Sequence, residues 1–367
     1  MGNKVLVEYL KSKKSLEEIK SVVDTMSKKD LEKEYDGFRP IFHAVINSTP
    51  DVVMYLINKG LDYETPCENG VVFLYCLISN DSMPFEIFEM LIRRKVNYKI
   101  KDQHKQSAIH YVAMRKEIEF IKFLCEYDEN INLEEESFLG VRPLHSAIGY
   151  GNIEVAKFLI NKGVNLESKN RYNNKPIHLA LLHNLTDIVN ILIDSGVNLE
   201  AKNFKKWRPI HYAVRYSTLG IVIRLAEAGV NLESELFYTK IRPIHVAIVS
   251  GEDRLDIVKY LINKGVNLEK EIDILSNLKT IENINLYHDF EPGVSRKIPP
   301  YGVKYQKMNC LKLAIKYSST EIIKLLIEAQ VPISGNIDEY LPEKPLDKEI
   351  LRLLFLNYDI EIKKKNP

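Results

Sequence analysis

RPLHSAI at 142–148, KPIHLAL at 175–181, RPIHYAV at 208–214 and RPIHVAI at 242–248 are near-copies of one phrase, and SAIHYVA at 107–113 is a fifth. Their second residues, Ala108, Pro143, Pro176, Pro209 and Pro243, stand 35, 33, 33 and 34 residues apart. A fixed period of this size means a stack of like supersecondary units rather than one globular core. A second phrase, GVNLE at 163–167, 196–200, 229–233 and 265–269, runs in phase with the first and follows apolar runs such as VAKFLI at 155–160. The unit therefore reads as a short helix begun by Pro, a turn, a second helix, a Gly stop and a polar link. Proline suits the first helical position, where its missing N–H has no partner in any case. Gly163, Gly196, Gly229 and Gly265 suit the left-handed position just past a helix end.

These residues resemble the ankyrin repeat, whose pattern is Thr-Pro-Leu-His-x-Ala, then Gly-x-x-Glu-Ile-Val, then a Gly-Ala-Asp-Val-Asn-like close. Gly151-Asn152-Ile153-Glu154-Val155 matches the middle part. The resemblance recurs over almost the whole chain and implies an all-α solenoid of stacked helix-turn-helix units with short hairpin fingers. The family's Thr is replaced by Arg39, Arg142, Lys175, Arg208 and Arg242, which cannot accept a capping hydrogen bond, so the cap is supplied otherwise or is missing.

Working outward, Pro40 with Ile41, His43 and Ala44 starts an earlier unit, Val72 with Phe73 and Cys76 a poorer one, and Cys310 with Leu311, Leu313 and Ala314 a late one. The expected organisation is an N-terminal capping helix pair and link over 1–38, repeats over 39–269, an inter-repeat insertion over 270–308, a repeat over 309–336, and a truncated capping repeat with a basic tail over 337–367. From Asn267 to Cys310 the chain takes 43 residues where 11 is usual, and the excess nearly equals one repeat. An insertion is preferred to a decayed repeat, because residues 271–288 could form one helix but Pro292, Gly293, Pro299, Pro300 and Gly302 exclude a second. Pro299-Pro300-Tyr301 falls one residue short of a motif for WW domains.

Lys+Arg numbers 51 against 50 Asp+Glu, so no whole-molecule field draws nucleic acid or an anionic membrane. The four cysteines, at 67, 76, 125 and 310, have no metal or disulfide spacing and suit a reducing cytoplasm. No run approaches a membrane span. Met1-Gly2 begins like a myristoylation signal, but Leu6 stands where Ser or Thr is needed. The abundance of Lys, Asn, Ile and Tyr, with the GVNLE style, resembles the ankyrin families of large DNA viruses of protists.

Five of nine histidines lie in the repeated phrase: His110, His145, His178, His211 and His245. Equivalent positions in stacked repeats are roughly 8–10 Å apart, whereas zinc needs donors within about 2.1 Å of one ion. These histidines cannot share a metal; the resemblance implies that they bond loop backbone between repeats. No phosphate loop, nucleophile elbow, zinc-protease or kinase motif occurs. No enzyme, cofactor or metal is therefore expected. The phrase-opening cations, with Glu134, Glu167, Glu200 and Glu233 eight or nine residues earlier, form either an internal charge ladder or a basic strip for an acidic partner. The inter-repeat loops vary most, and hold Phe138, Tyr172, Phe204, Trp207, Phe237 and Tyr238. Aromatic residues dominate many binding surfaces, and packing between fingers is the competing reading. The expected function is a monomeric, cytoplasmic protein-protein interaction scaffold that binds a protein partner through its concave face and finger loops. The alternative is an adaptor recruiting a target to host machinery such as a ubiquitin ligase; Leu341-Pro342 resembles the start of an F-box-like end, but a truncated repeat explains that segment better.

Overall fold

The computed structural model describes residues 2–236, 240–275, 305–333 and 346–358. They fall into two compact units, residues 1–171 and 172–367. The first opens with α1 (Gly2–Lys11), α2 (Leu16–Val23) and the single turn α3 (Lys28–Leu31). Four helix pairs follow: α4 (Pro40–Asn47) with α5 (Pro50–Asn58), α6 (Phe73–Ser79) with α7 (Phe85–Arg93), α8 (Ala108–Met114) with α9 (Glu119–Tyr127), and α10 (Pro143–Gly149) with α11 (Ile153–Asn161). The second unit continues with α12 (Pro176–Leu182) and α13 (Thr186–Asp194), α14 (Pro209–Tyr216) and α15 (Leu219–Glu227), then α16 (Pro243–Val249) and α17 (Leu255–Asn263). After strands β1 (Ile272–Leu275) and β2 (Tyr305–Met308) come α18 (Cys310–Tyr317), α19 (Thr320–Glu328) and a last helix, α20 (Lys348–Tyr358).

Each pair has a first helix of seven or eight residues and a second of nine. Such helices are too short to persist alone; burial of their apolar faces against neighbours holds them. Ile177, Ala180 and Leu181 of α12 and Ile188, Val189 and Leu192 of α13 have no exposed surface. The second helices other than α9 stop where the chain turns left-handed, at Gly60, Gly163, Gly196, Gly229 and Gly265, and Lys95 and Gln330 take the same conformation after α7 and α19. The less regular repeats of the first unit use aromatic bulk instead. Phe88 lies 5.0 Å from Phe120, and Phe85 meets Phe120 edge-on at 5.3 Å.

A seam of hydrogen bonds joins consecutive repeats at the turn between their two helices. A side chain there donates to a carbonyl at the end of the preceding repeat's first helix. Asn152 reaches Ala113 O at 3.1 Å, Arg115 reaches Ile78 O at 3.1 Å, Ser217 reaches Leu181 O at 3.4 Å and Ser318 reaches Ile248 O at 2.9 Å. The last of these spans 70 residues, about double the usual separation, because α16 packs directly on α18. Between them β1 and β2 pair antiparallel, Ile272 opposite Met308 and Leu275 opposite Tyr305. Ile272–Leu275 is thus a strand, not the start of the helix that 271–288 could form as a decayed repeat; its partner lies some thirty residues ahead, out of reach of local pattern reading. Most of the 270–308 segment and of the 337–367 segment, including Leu341-Pro342, lies outside the described residues.

Candidate protein-binding surface

The repeated histidine occupies the third residue of α8, α10, α12, α14 and α16. Its Nδ1 accepts the backbone N–H of the residue just before the helix: Ser107 to His110 at 3.2 Å, Arg142 to His145 at 3.2 Å, Lys175 to His178 at 3.0 Å, Arg208 to His211 at 3.3 Å and Arg242 to His245 at 3.1 Å. A nitrogen facing an N–H carries no proton, so the proton sits on Nε2, which in His110 and His178 donates to the next loop. His110 Nε2 reaches Glu135 O at 3.0 Å and Val141 O at 3.1 Å, and His178 Nε2 reaches Ala201 O at 3.1 Å. The ring therefore supplies half of a capping box where threonine is missing. The N–H of His178 itself turns back to Lys175 O at 2.9 Å. Burial pushes His110 below its ordinary value, and burial, helped by Arg208 and Arg242, holds His211 and His245 down at about 3.

Two early repeats lack this histidine and serve the equivalent carbonyl by other means. In α6 the third residue is Tyr75, whose hydroxyl donates to Ile100 O while its ring stacks on Tyr111 at 4.6 Å. In α4 the third residue is Phe42; His43 bonds Tyr35 O at 2.8 Å, and Arg39 donates to Thr65 O instead.

The close of each repeat forms a second set of ties. Asn165 Oδ1 accepts Glu167 N–H at 2.8 Å, Asn198 accepts Glu200 N–H at 2.9 Å, and Asn231 accepts Glu233 N–H at 2.8 Å. The glutamate then bridges to the following repeat. One oxygen of Glu200 accepts Asn231 N–H at 2.7 Å and the other pairs with Arg208 at 3.1 Å. Glu233 does the same with Asn267 N–H, at 2.7 Å, and Arg242. Glu134 does so with Asn165 N–H and with Arg142, at 3.3 Å. The phrase-opening arginines are thus engaged inside the charge ladder, and Arg242 is 4% exposed.

The loop before each first helix forms a tight finger. Ser137 N–H meets Val141 O at 3.0 Å and Gly140 N–H returns to Ser137 O at 2.9 Å; Asn203 with Trp207 and Lys206 with Asn203 repeat this at 3.0 and 2.9 Å. Neighbouring fingers are tied by main-chain bonds, Phe138 N–H to His104 O at 2.7 Å and Phe204 N–H to Tyr172 O at 2.7 Å. In the first unit the fingers and first helices bound a groove of about 630 Å³, lined by Ile46, Tyr75, Cys76, Asp102, His104 and Tyr111.

The family profile described as ankyrin repeats, three copies, matches residues 74–170, 110–203 and 177–272, more than half of the chain in all. The chain belongs to the ankyrin-repeat family. It is 34% identical over 112 residues to a Rickettsia felis protein described as an ankyrin repeat protein, which covers 30% of this chain and 36% of that one. It is 29% identical over 134 residues to alpha-latrotoxin-Lt1a of Latrodectus tredecimguttatus, covering 35% of this chain and 9% of the toxin. The chain thus spans about a third of the first relative's length and about a tenth of the second's. A solved structure, the ankyrin repeat domain of Bcl-3 of the IkappaB protein family, aligns with a TM-score of 0.47 at 20% identity, over 58% of this chain and 95% of that one. Ankyrin repeats bind protein partners and are generally non-enzymatic.

The ankyrin fingers place the aromatic residues differently from one another. Phe138 is 58% and Phe204 54% exposed. Tyr172 is half-buried, and its carbonyl is committed to the neighbouring finger. Trp207 is half-buried too, its ring 5.2 Å from Tyr212 and 5.8 Å from His211. Phe237 and Tyr238 lie outside the described residues. Exposed aromatic and aliphatic groups that the repeat comparison did not single out are Ile46 and Tyr150, at the ends of first helices. Their exposure depends on neighbours and leaves no mark in the local sequence. Cys310 is buried with its thiol pushed up, and burial raises Cys76 to about 12. Among the described residues, no group of His, Cys, Asp and Glu is placed to hold a metal, and no helix is long and apolar enough to cross a membrane.

Proposed function

We propose that the chain is a monomeric, non-enzymatic scaffold that binds a protein partner through its finger tips and the first-helix face beside them. The observation that carries this reading is the exposure of Phe138 and Phe204 on backbone locked by finger-to-finger hydrogen bonds. A rigid, pre-ordered surface lowers the entropic cost of association, and exposed aromatic anchors commonly supply most of the energy. Residue usage supports an origin among the ankyrin families of large DNA viruses of protists, with the partner then in the host cytoplasm. An adaptor for a ubiquitin ligase is the second reading and needs a further recruiting module.

Capture of partners by the wild type and by Phe138→Ala/Phe204→Ala, read by mass spectrometry, tests both. Truncating a central anchor weakens binding by about 2 kcal/mol or more, while exposed rings leave the melting temperature unchanged. Ligase subunits among the prey favour the adaptor. Undiminished capture with a large fall in melting temperature shows instead that the rings are packing.

A further inference from the structure

The residue that closes each finger tip has a left-handed backbone. In three fingers it is glycine, Gly37, Gly70 and Gly140, and in one it is Asn173. In three others it is lysine: Lys105 at φ 56°, Lys206 at φ 67° and Lys240 at φ 55°. This region is disfavoured for any residue with a Cβ, and lysine lacks the short polar side chain that reconciles asparagine to it. Residues held in this way cluster at ligand clamps and switch regions, although Lys95 takes the same conformation as a plain helix stop. All three lysines are exposed, and none has a carboxylate partner among the described residues. The nearby acids are already committed: Glu200 to Arg208, Glu233 to Arg242, and Glu235 to Arg242 and Lys270. The tips of the second unit thus present bare cations around the exposed ring of Phe204.

We propose that Lys206 and Lys240 dock an acidic segment of a protein partner, whose carboxylates meet the two ammonium groups while an apolar side chain covers Phe204. The inference rests on the scaffold reading above and names the chemistry of its partner. Adjacent repeats are roughly 8–10 Å apart, and a polyproline II chain advances about 3.1 Å per residue with three residues per turn. The two lysines therefore match carboxylates three residues apart, which share one face of such a segment. In the first unit Lys105, with Arg171 held 5.5 Å over the Phe138 ring, repeats the chemistry.

The test uses the full chain and a fluorescent peptide with glutamate at every third residue and leucine between. Binding is expected, and it weakens as salt screens the exposed charges. Lys206→Asn/Lys240→Asn lowers affinity about tenfold, as expected for losing two exposed ion pairs. The same variant keeps or raises the melting temperature, because asparagine tolerates the left-handed backbone. A peptide that binds wild type and variant equally, a marked fall in the variant's melting temperature, or binding of polyphosphate without binding of the peptide overturns the proposal. If captured partners are lost on Phe204→Ala while the peptide does not bind, the acidic segment is wrong and the scaffold reading stands. If Phe204→Ala loses no partner, the scaffold reading itself falls.

Discussion

Replacing His178 by alanine removes one ring that closes two contacts at once. The ring accepts Lys175 N–H at 3.0 Å and donates to Ala201 O at 3.1 Å, with no exposed surface. The substitution strands one buried donor and one buried acceptor, each a loss of about 1–2 kcal/mol when water cannot reach it. The space left by the imidazole adds roughly 1 kcal/mol. The expected loss is therefore about 3–5 kcal/mol, a large part of the ~5–15 kcal/mol by which folded domains are usually stable. His178→Gln separates the two contacts. A glutamine at the third helical residue can still accept the N–H before the helix, as in a capping box, but its amide is not placed like Nε2. It should lose about half as much as alanine. Urea unfolding followed by far-UV circular dichroism gives the differences. Amide exchange should locate the weakening between α12 and α14, since repeats are stabilised by their neighbours. Alanine and glutamine variants of equal stability, or an alanine variant within about 0.5 kcal/mol of wild type, would refute the reasoning.

Acid should act through the same rings. Native His211 and His245 stay neutral down to about 3, whereas the unfolded chain takes up protons near 6.5. The unfolded state therefore binds more protons in that interval, so the stability these rings contribute is fully present above about pH 6.5 and is lost as pH falls towards 3. The urea midpoint should start to drop before the carboxylate range is reached; a flat profile there contradicts the assignment. Tyr75→Phe removes the donor to Ile100 O but keeps the ring stack, and should lower stability by about 1–2 kcal/mol in chemical denaturation. No change would mean that water replaces the hydroxyl. Glu200→Ala frees Asn231 N–H and Arg208 at a partly exposed site, for a loss of about 1 kcal/mol in the same assay. A loss above that of His178→Ala would rank the ladder wrongly. Shortening the chain between Leu275 and Tyr305 should leave the helical circular dichroism signal and the urea midpoint nearly unchanged, because closure entropy shifts only about 0.6 kcal/mol per doubling of loop length. Global unfolding of that variant would mark the segment as a decayed repeat within the stack.

The helix pairs of the central repeats were legible because Pro, His and Gly each answer a fixed local demand: a helix start, an acceptor at its third residue, and a left-handed stop. The internal charge ladder was legible as one of two alternatives, through the constant offset of glutamate and arginine. Its use of Asn231 N–H and Asn267 N–H was not, since backbone donors leave no residue signature. In the degenerate early repeats what persists is a donor aimed at one carbonyl, and Tyr75 and Arg39 supply it with unrelated side chains. Lysine at a left-handed position is equally silent in sequence, because nothing about Lys206 distinguishes it from an ordinary surface lysine. Which finger rings stay exposed was open for the same reason. Trp207 and Phe204 stand three residues apart in one loop, and only the position of Tyr212 decides that the first is covered.

The bond from Ser318 to Ile248 separates the order of the chain from the order of the stack. A repeat needs only the face of the repeat beneath it, and it is indifferent to the path by which the backbone arrived. At Leu275 the chain opens a parenthesis and at Tyr305 it closes it, with the strand pair as the clasp. Adjacency in the stack is set here by the meeting faces of α16 and α18 and by the strand pair beside them, so two helices that are neighbours in space can be drawn from stretches that are not neighbours in the chain.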